Sequence, residues 1–193
     1  MNFYVRQRLH MRPTTLIIGF GLACTCFLLG GAGFFLMGAL SDHVFGGLYR
    51  MFMYHDEHPL QYIAVVSIVF GVIGTFWLRV FGHSIRWKRW ISIIAAIVLT
   101  VVIASVPGGI LWKIHDMQAG YFPPGVRFWD DLLWGAKEGL LIGWLVIVAS
   151  IPYNLLGLGI GVLVLHRLPV IAARIENQGR TSRDMTTPTS RPV

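Results

Sequence analysis

Long apolar runs separated by short polar segments dominate the pattern of this chain. The four runs lie at residues 16–40, 60–80, 91–112 and 134–166. Each has at least the length of about 20 residues that an α-helix needs to cross about 30 Å of hydrocarbon. A helix also satisfies its own backbone hydrogen bonds inside lipid. The pattern therefore predicts an all-α polytopic membrane protein, built as a four-transmembrane-helix bundle.

Prolines interrupt the third and the fourth run. We expect the third run to be broken near its far end by Pro107, Gly108 and Gly109, because proline removes a helical hydrogen bond. The fourth run is too long for a simple crossing, since a helix over 134–166 would measure about 50 Å at ~1.5 Å per residue. We expect Pro152 to kink this helix midway.

The polar segments define the rest of the organisation. Residues 1–14 read as a basic cytoplasmic leader, residues 15–168 as the transmembrane domain, and residues 169–193 as a cytoplasmic tail. The last ten or so residues are predicted to be disordered, because their composition offers no core to bury. The two outer connectors, 41–59 and 113–131, are each expected to be ordered.

Composition agrees with the membrane class. Only 13% of the residues are charged and 55% are hydrophobic, whereas soluble domains carry about 25% charged residues. The net charge is +7, but most basic residues flank apolar runs, where they set topology and contact lipid headgroups. No basic patch is interleaved with aromatic residues, so nucleic acid is not an expected partner.

The basic residues also predict the orientation of the chain. Twelve Lys and Arg residues fall on the leader, the segment between the second and third runs, and the tail. Four fall on the opposite side, namely Arg50, Lys113, Arg127 and Lys137. Because basic residues stay preferentially in the cytoplasm, this asymmetry predicts a multi-pass protein of the cell membrane with both termini cytoplasmic.

The outer side carries the most conspicuous group of ionisable side chains. Its members are His43, His55, Asp56, Glu57, His58 and His115. Imidazoles and carboxylates together are ligands for Zn²⁺ or Cu²⁺, and a pair of histidines at a bundle end could hold haem b axially. The spacing matches no recognised metal signature. We therefore favour a solvated interfacial loop and expect no cofactor, with a metal or haem b as the alternative.

Glycines recur along the fourth run at the spacing of one helical turn. Gly135, Gly139 and Gly143 form one series, and Gly157 and Gly161 repeat the spacing after Pro152. Such small residues let two helices approach closely in lipid. They predict helix packing, either inside the bundle or against a partner subunit.

A second polar feature lies midway along the fourth run. Pro152, Tyr153 and Asn154 stand together there, and a proline kink with polar neighbours can line a substrate path or pocket. The interpretation that we prefer is a kinked helix in which Asn154 bonds to a neighbouring helix.

These features lead to one function hypothesis and two alternatives. We find no hydrolase, phosphate-loop or dinucleotide motif. We therefore expect a non-catalytic integral membrane component that packs onto a transport, secretion or respiratory complex, or onto copies of itself, in the lipid bilayer. The first alternative is a small metal- or haem-dependent oxidoreductase that uses the outer histidines. The second is a permease-like oligomer built around Pro152 and Asn154.

Overall fold

The prediction of an all-helical chain with four spanning segments is confirmed. A computed structural model describes residues 13–44, 58–82, 84–121, 128–145 and 153–186, and no strand occurs in these ranges. The helices are α1 over Pro13–Val44, α2 over Pro59–Phe81, α3 over Arg86–Gln118, α4 over Phe128–Glu138 and α5 over Tyr153–Thr186. A π-helical turn, Gly139–Gly143, follows α4 directly. The segments long and apolar enough to cross a membrane are Leu16–Leu36, Pro59–Phe81, Arg86–Gln118 and Leu155–Ile175.

Neighbouring helices run antiparallel. In α1, Gly19 lies against Thr75 of α2, whereas Gly31, further along α1, lies against Leu60 at the start of α2. Between α2 and α3, the indole of Trp77 contacts Ser92. At the other ends of these two helices, Tyr62 contacts His115.

The bundle therefore has two ends of different chemistry. We call the end with His58 and His115 the histidine end. The opposite end, where Arg89 of α3 donates a hydrogen bond to the carbonyl of His166 in α5, is called the arginine end.

Local sequence sets both ends of α2. Pro59 occupies the first turn, where its missing N–H costs no hydrogen bond. At the other end, the Gly82 N–H donates to the Leu78 carbonyl at 3.0 Å and the Ser84 N–H donates to the Phe81 carbonyl at 2.9 Å. These turn bonds make the link to α3 short, so α2 and α3 form a helical hairpin.

The core lies between α1, α2, α3 and α5. Its buried members are Leu22, Phe70, Ile73, Trp77, Ile93, Ala96, Leu165 and Leu168. Lipid supplies no hydrophobic drive between helices, so close packing and interhelical hydrogen bonds hold such a core together. One bond of this kind joins the Trp77 indole to Ser92 Oγ at 2.9 Å, and Ser92 in turn donates to the Arg89 carbonyl at 2.8 Å.

The expected break in the third run is wrong. Pro107 lies inside α3, which continues to Gln118. A proline removes one helical hydrogen bond and can bend a helix without ending it. Beyond the proline, Gly109 packs directly against Gly135 of α4. The second outer connector is consequently much shorter than 113–131, because helical structure ends at Gln118 and resumes at Phe128.

The described part of the fourth run consists of α4 with its π-helical turn and the start of α5, and residues 146–152 between them lie outside the described ranges. Gly143 lies against Ser105 of α3 and Gly161 lies against Ile97, so eighteen residues of this run face eight residues of α3. Eighteen helical residues would advance about 27 Å, whereas eight advance about 12 Å. A straight helix cannot satisfy both contacts. The membrane-spanning segment is Leu155–Ile175, and Pro152, the expected kink, lies outside the described residues.

The connector and tail predictions meet the described structure only in part. Helix α1 continues through Val44, and residues 45–57 lie outside the described ranges. Helix α5 runs through Pro169 to Thr186, so the segment predicted as a tail begins inside a helix. Residues 187–193, for which disorder is predicted, also lie outside the described ranges.

Candidate functional site

A cluster of polar side chains closes the histidine end of the α2–α3 hairpin. His58, Gln61 and Tyr62 come from the start of α2, and His115 comes from the last turn of α3. The two helices are antiparallel, so the beginning of one meets the end of the other. This arrangement brings together two of the sequence-predicted ligands, His58 and His115.

Both ring nitrogens of His115 have hydrogen-bond partners. Nε2 lies 2.9 Å from Gln61 Oε1, and Nδ1 lies 3.1 Å from the Tyr62 hydroxyl. An amide oxygen only accepts, so Nε2 carries the proton and Nδ1 accepts from the tyrosine. The ring of His58 lies 4.3 Å from that of His115, at an interplanar angle of 42°. The cluster thus joins α2 to α3 through its own side chains.

This geometry bears directly on the metal and haem hypotheses. A metal ion at His115 would have to displace either Gln61 from Nε2 or the Tyr62 hydroxyl from Nδ1, because a ligand nitrogen must offer its lone pair. Histidines on opposite sides of a metal, with metal–nitrogen bonds of about 2 Å, place their ring centres about 6 Å apart. The rings of His58 and His115 are 4.3 Å apart. The pair as it stands does not fit an axial haem site.

The other candidate ligands are not brought into this cluster by the described structure. His55, Asp56 and Glu57 lie outside the described residues, and His43 is placed in the last turn of α1 by its backbone alone. Within the described ranges there is no group of three or more His, Cys, Asp or Glu side chains suited to a metal ion.

Lys113 is a buried cation that the sequence placed in a connector. It is 6% exposed, and its Nζ lies 5.0 Å from the centre of the Trp134 ring in α4. A cation over an indole face is attracted by the ring quadrupole. Charged side chains of membrane helices usually face the bundle interior, and Lys113 is buried beside Gly135 at the contact between α3 and α4. The signal that could have located it is its spacing of four residues from Gly109.

Three of the predicted packing glycines lie at the contact between α3 and α4. We call Gly135, Gly139 and Gly143, with Ser105 and Gly109 of α3, the glycine seam. A Cβ on Gly135 would lie 2.7 Å from the Gly109 carbonyl oxygen, and a Cβ on Gly143 would lie 3.2 Å from Ser105 Cβ. A Cβ on Gly139 would overlap the Ser105 carbonyl oxygen. The seam is therefore an internal contact in which two backbones touch.

The remaining predicted residues have different surroundings. A Cβ on Gly161 would make ordinary contact with Ile97 at 3.4 Å, and a Cβ on Gly157 would meet nothing within 4 Å among the described residues. Tyr153 and Asn154 begin α5, but their side chains and Pro152 lie outside what the structure describes. The predicted polar pocket at these three residues therefore stays a prediction.

The arginine end concentrates basic side chains. Its described cations are Arg79, Arg86, Lys88, Arg89, Arg167 and Arg174. Trp90 stacks on His166 with the ring centres 5.3 Å apart and an interplanar angle of 23°. The stacked rings and the Arg89 bond to the His166 carbonyl tie the start of α3 to α5.

Comparisons with protein-family models, with curated proteins and with solved structures find no match to this chain.

Proposed function

We propose that this chain is a non-catalytic integral membrane component that packs onto a larger membrane assembly. The observation that carries the proposal is a pair of uncovered glycines on α5. Gly157 and Gly159 are exposed, and a Cβ on either would meet nothing within 4 Å among the described residues. Because they are two residues apart, they lie on different sides of the helix. The glycines of the seam, in contrast, already pack against α3.

The two outermost spans support the same proposal. Only 17% of the residues in the spanning windows of α1 and α5 are buried, against 39% in α2 and 33% in α3. Association of helices in lipid depends on close approach at small residues. Gly157 and Gly159 offer such positions on two sides of α5. Exposed Gly21, which has nothing within 4 Å among the described residues, offers one on α1.

The polar groups of the bundle are also consistent with a structural role. His115 uses both ring nitrogens for bonds to Gln61 and Tyr62, and Lys113 is covered by Trp134. These side chains join helices of the same chain and offer no open constellation for catalysis. The partner is a transport, secretion or respiratory complex, or another copy of this chain.

The first prediction concerns Gly157. Gly157→Leu should remove the partner or reduce the oligomer, because a branched side chain would hold the two backbones apart. The measurement is the mass of the complex purified in mild detergent, by light scattering after size exclusion. Gly108→Leu is the matched control, since Gly108 also has nothing within 4 Å but lies on α3. Retention of the wild-type mass by Gly157→Leu would contradict the proposal.

We further propose that both termini are cytoplasmic and that the membrane is the cell membrane. Six cations lie at the arginine end, and basic residues are retained in the cytoplasm. A reporter fused after Asn177 should consequently be active only on the cytoplasmic side, and one fused after Tyr121 only on the outer side. Activity of the Asn177 fusion outside the cell would reverse the orientation.

A further inference from the structure

A shallow apolar groove runs along the exposed face of α3, starting near the arginine end. Its volume is about 460 Å³, and it is lined by Ile91, Ile94, Ala95, Val98, Leu99 and Val102. These positions are three or four residues apart along one helical face. The small side chain of Ala95 sits among larger aliphatic ones, which gives the face its hollow.

The same helical face continues to two residues of a different kind. Trp87 and Lys88 precede Ile91 by four and three residues, so they lie in line with the groove. Trp87 is 74% exposed and Lys88 is exposed as well. This face of α3 thus consists of the apolar groove and, at one end, an indole N–H and an ammonium group.

The length of the groove along the helix axis matches the hydrocarbon thickness of one leaflet of a bilayer. From Ile91 to Val102 the helix rises about 16 Å, and half of the hydrocarbon core is about 15 Å thick. Tryptophan and lysine are the side chains that occupy the headgroup zone at the end of a span. The groove consequently begins where an acyl chain begins and ends near the middle of the bilayer.

Charge selects the headgroup. Between Leu78 and Trp90 the sequence contains Arg79, Arg86, Lys88 and Arg89 and no acidic residue. The field at this end of the groove is therefore positive, and it favours a lipid with net negative charge over a zwitterionic one.

The side chains of the groove do not favour a partner helix. Close helix contacts in lipid use glycine, alanine and serine, whereas five of the six groove residues are Ile, Val or Leu. A flexible acyl chain can follow such an uneven aliphatic surface.

We propose that this face of α3 binds an anionic phospholipid. The acyl chain lies in the groove over Ala95, and the phosphate contacts the ammonium of Lys88 and the indole N–H of Trp87. This site is independent of Gly157 and Gly159, because it lies on a different helix.

Native mass spectrometry of the delipidated protein, titrated with phosphatidylglycerol or phosphatidylcholine, tests the proposal. The wild type should retain phosphatidylglycerol preferentially. Lys88→Gln should weaken its binding about fivefold, which is the contribution of one surface cation. Ala95→Phe should weaken it at least as much by filling the groove. The matched controls are Lys137→Gln, on α4, and Ala32→Phe, on α1, both at exposed positions, and both should bind like the wild type.

Three results would overturn the proposal. Equal retention of the two lipids by the wild type would show that charge does not select the ligand. Wild-type binding by both Lys88→Gln and Ala95→Phe would show that the lipid lies elsewhere. A lower oligomeric mass for Ala95→Phe, with lipid binding unchanged, would show that another helix occupies the groove.

Discussion

A leucine at Gly139 is expected to lower the thermal midpoint of the purified protein by about 10 °C. A Cβ at this position overlaps the Ser105 carbonyl oxygen and would lie 3.1 Å from the Gly109 Cα. Overpacking costs about 1–3 kcal/mol where neighbouring side chains can shift. Here the neighbour is backbone, so we expect a cost of about 3 kcal/mol. In a chain of this size each kcal/mol corresponds to about 2–4 °C.

Gly108→Leu provides the matched control for this measurement. The chemical change is identical, but a Cβ at Gly108 meets nothing within 4 Å among the described residues. Its midpoint should stay within about 2 °C of the wild type, because leucine also has a better helix propensity than glycine. Both variants can be compared by thermal unfolding in detergent, followed by circular dichroism. Equal midpoints for the two variants would mean that the glycine seam is not a tight contact.

The seam illustrates what the sequence could predict and what it could not. The four-residue spacing of Gly135, Gly139 and Gly143 identified one face of a helix, because period and face are linked in any α-helix. The sequence did not show which surface this face packs against. Gly109 belongs to that surface, but it stands two residues after Pro107, and proline–glycine pairs usually indicate a turn. Inside a membrane the same glycine can serve close helix contact, and only the fold distinguishes the two uses.

The spanning segments were predictable because lipid leaves few alternatives to a helix. Their boundaries were less so, and the run 134–166 shows why. Apolar composition is needed both to face lipid and to pack against another helix, so it does not tell a crossing helix from a packed one. The structure distinguishes Gly139–Gly143, which packs against α3, from Leu155–Ile175, which is long enough to span a membrane.

The sequence predicted that the histidines lie on one side of the membrane, but it did not predict how their side chains are arranged. The sequence put His58 and His115 on the same side, since each lies at the end of an apolar run. The bonds of His115 to Gln61 and Tyr62 depend on the register between α2 and α3, which no local pattern specifies. The contact of Lys113 with the Trp134 ring of α4 likewise depends on how two helices are aligned.

Trp77→Ala is expected to have the largest effect of any single substitution at a described core position. Trp77 is 2% exposed and packs in the core with Phe70, Ile93 and Leu165. Truncating a buried tryptophan to alanine costs about 3–5 kcal/mol, because the cavity does not close. We therefore expect the thermal midpoint to fall by about 10–15 °C. The neighbouring Phe76 is 64% exposed, and Phe76→Ala should leave the midpoint nearly unchanged.

Two further variants separate the packing of Trp77 from its hydrogen bond. Trp77→Phe keeps most of the apolar volume and loses the indole N–H, whereas Ser92→Ala leaves that N–H buried without its acceptor. An unsatisfied buried donor costs about 1–3 kcal/mol, so Ser92→Ala should be the more harmful of the two and Trp77→Ala worse than either. In the double variant Trp77→Phe/Ser92→Ala the loss should be smaller than the sum, because both partners of one bond are gone. Additive losses would mean that the 2.9 Å contact contributes nothing to stability, and that packing alone joins α2 to α3 at the arginine end.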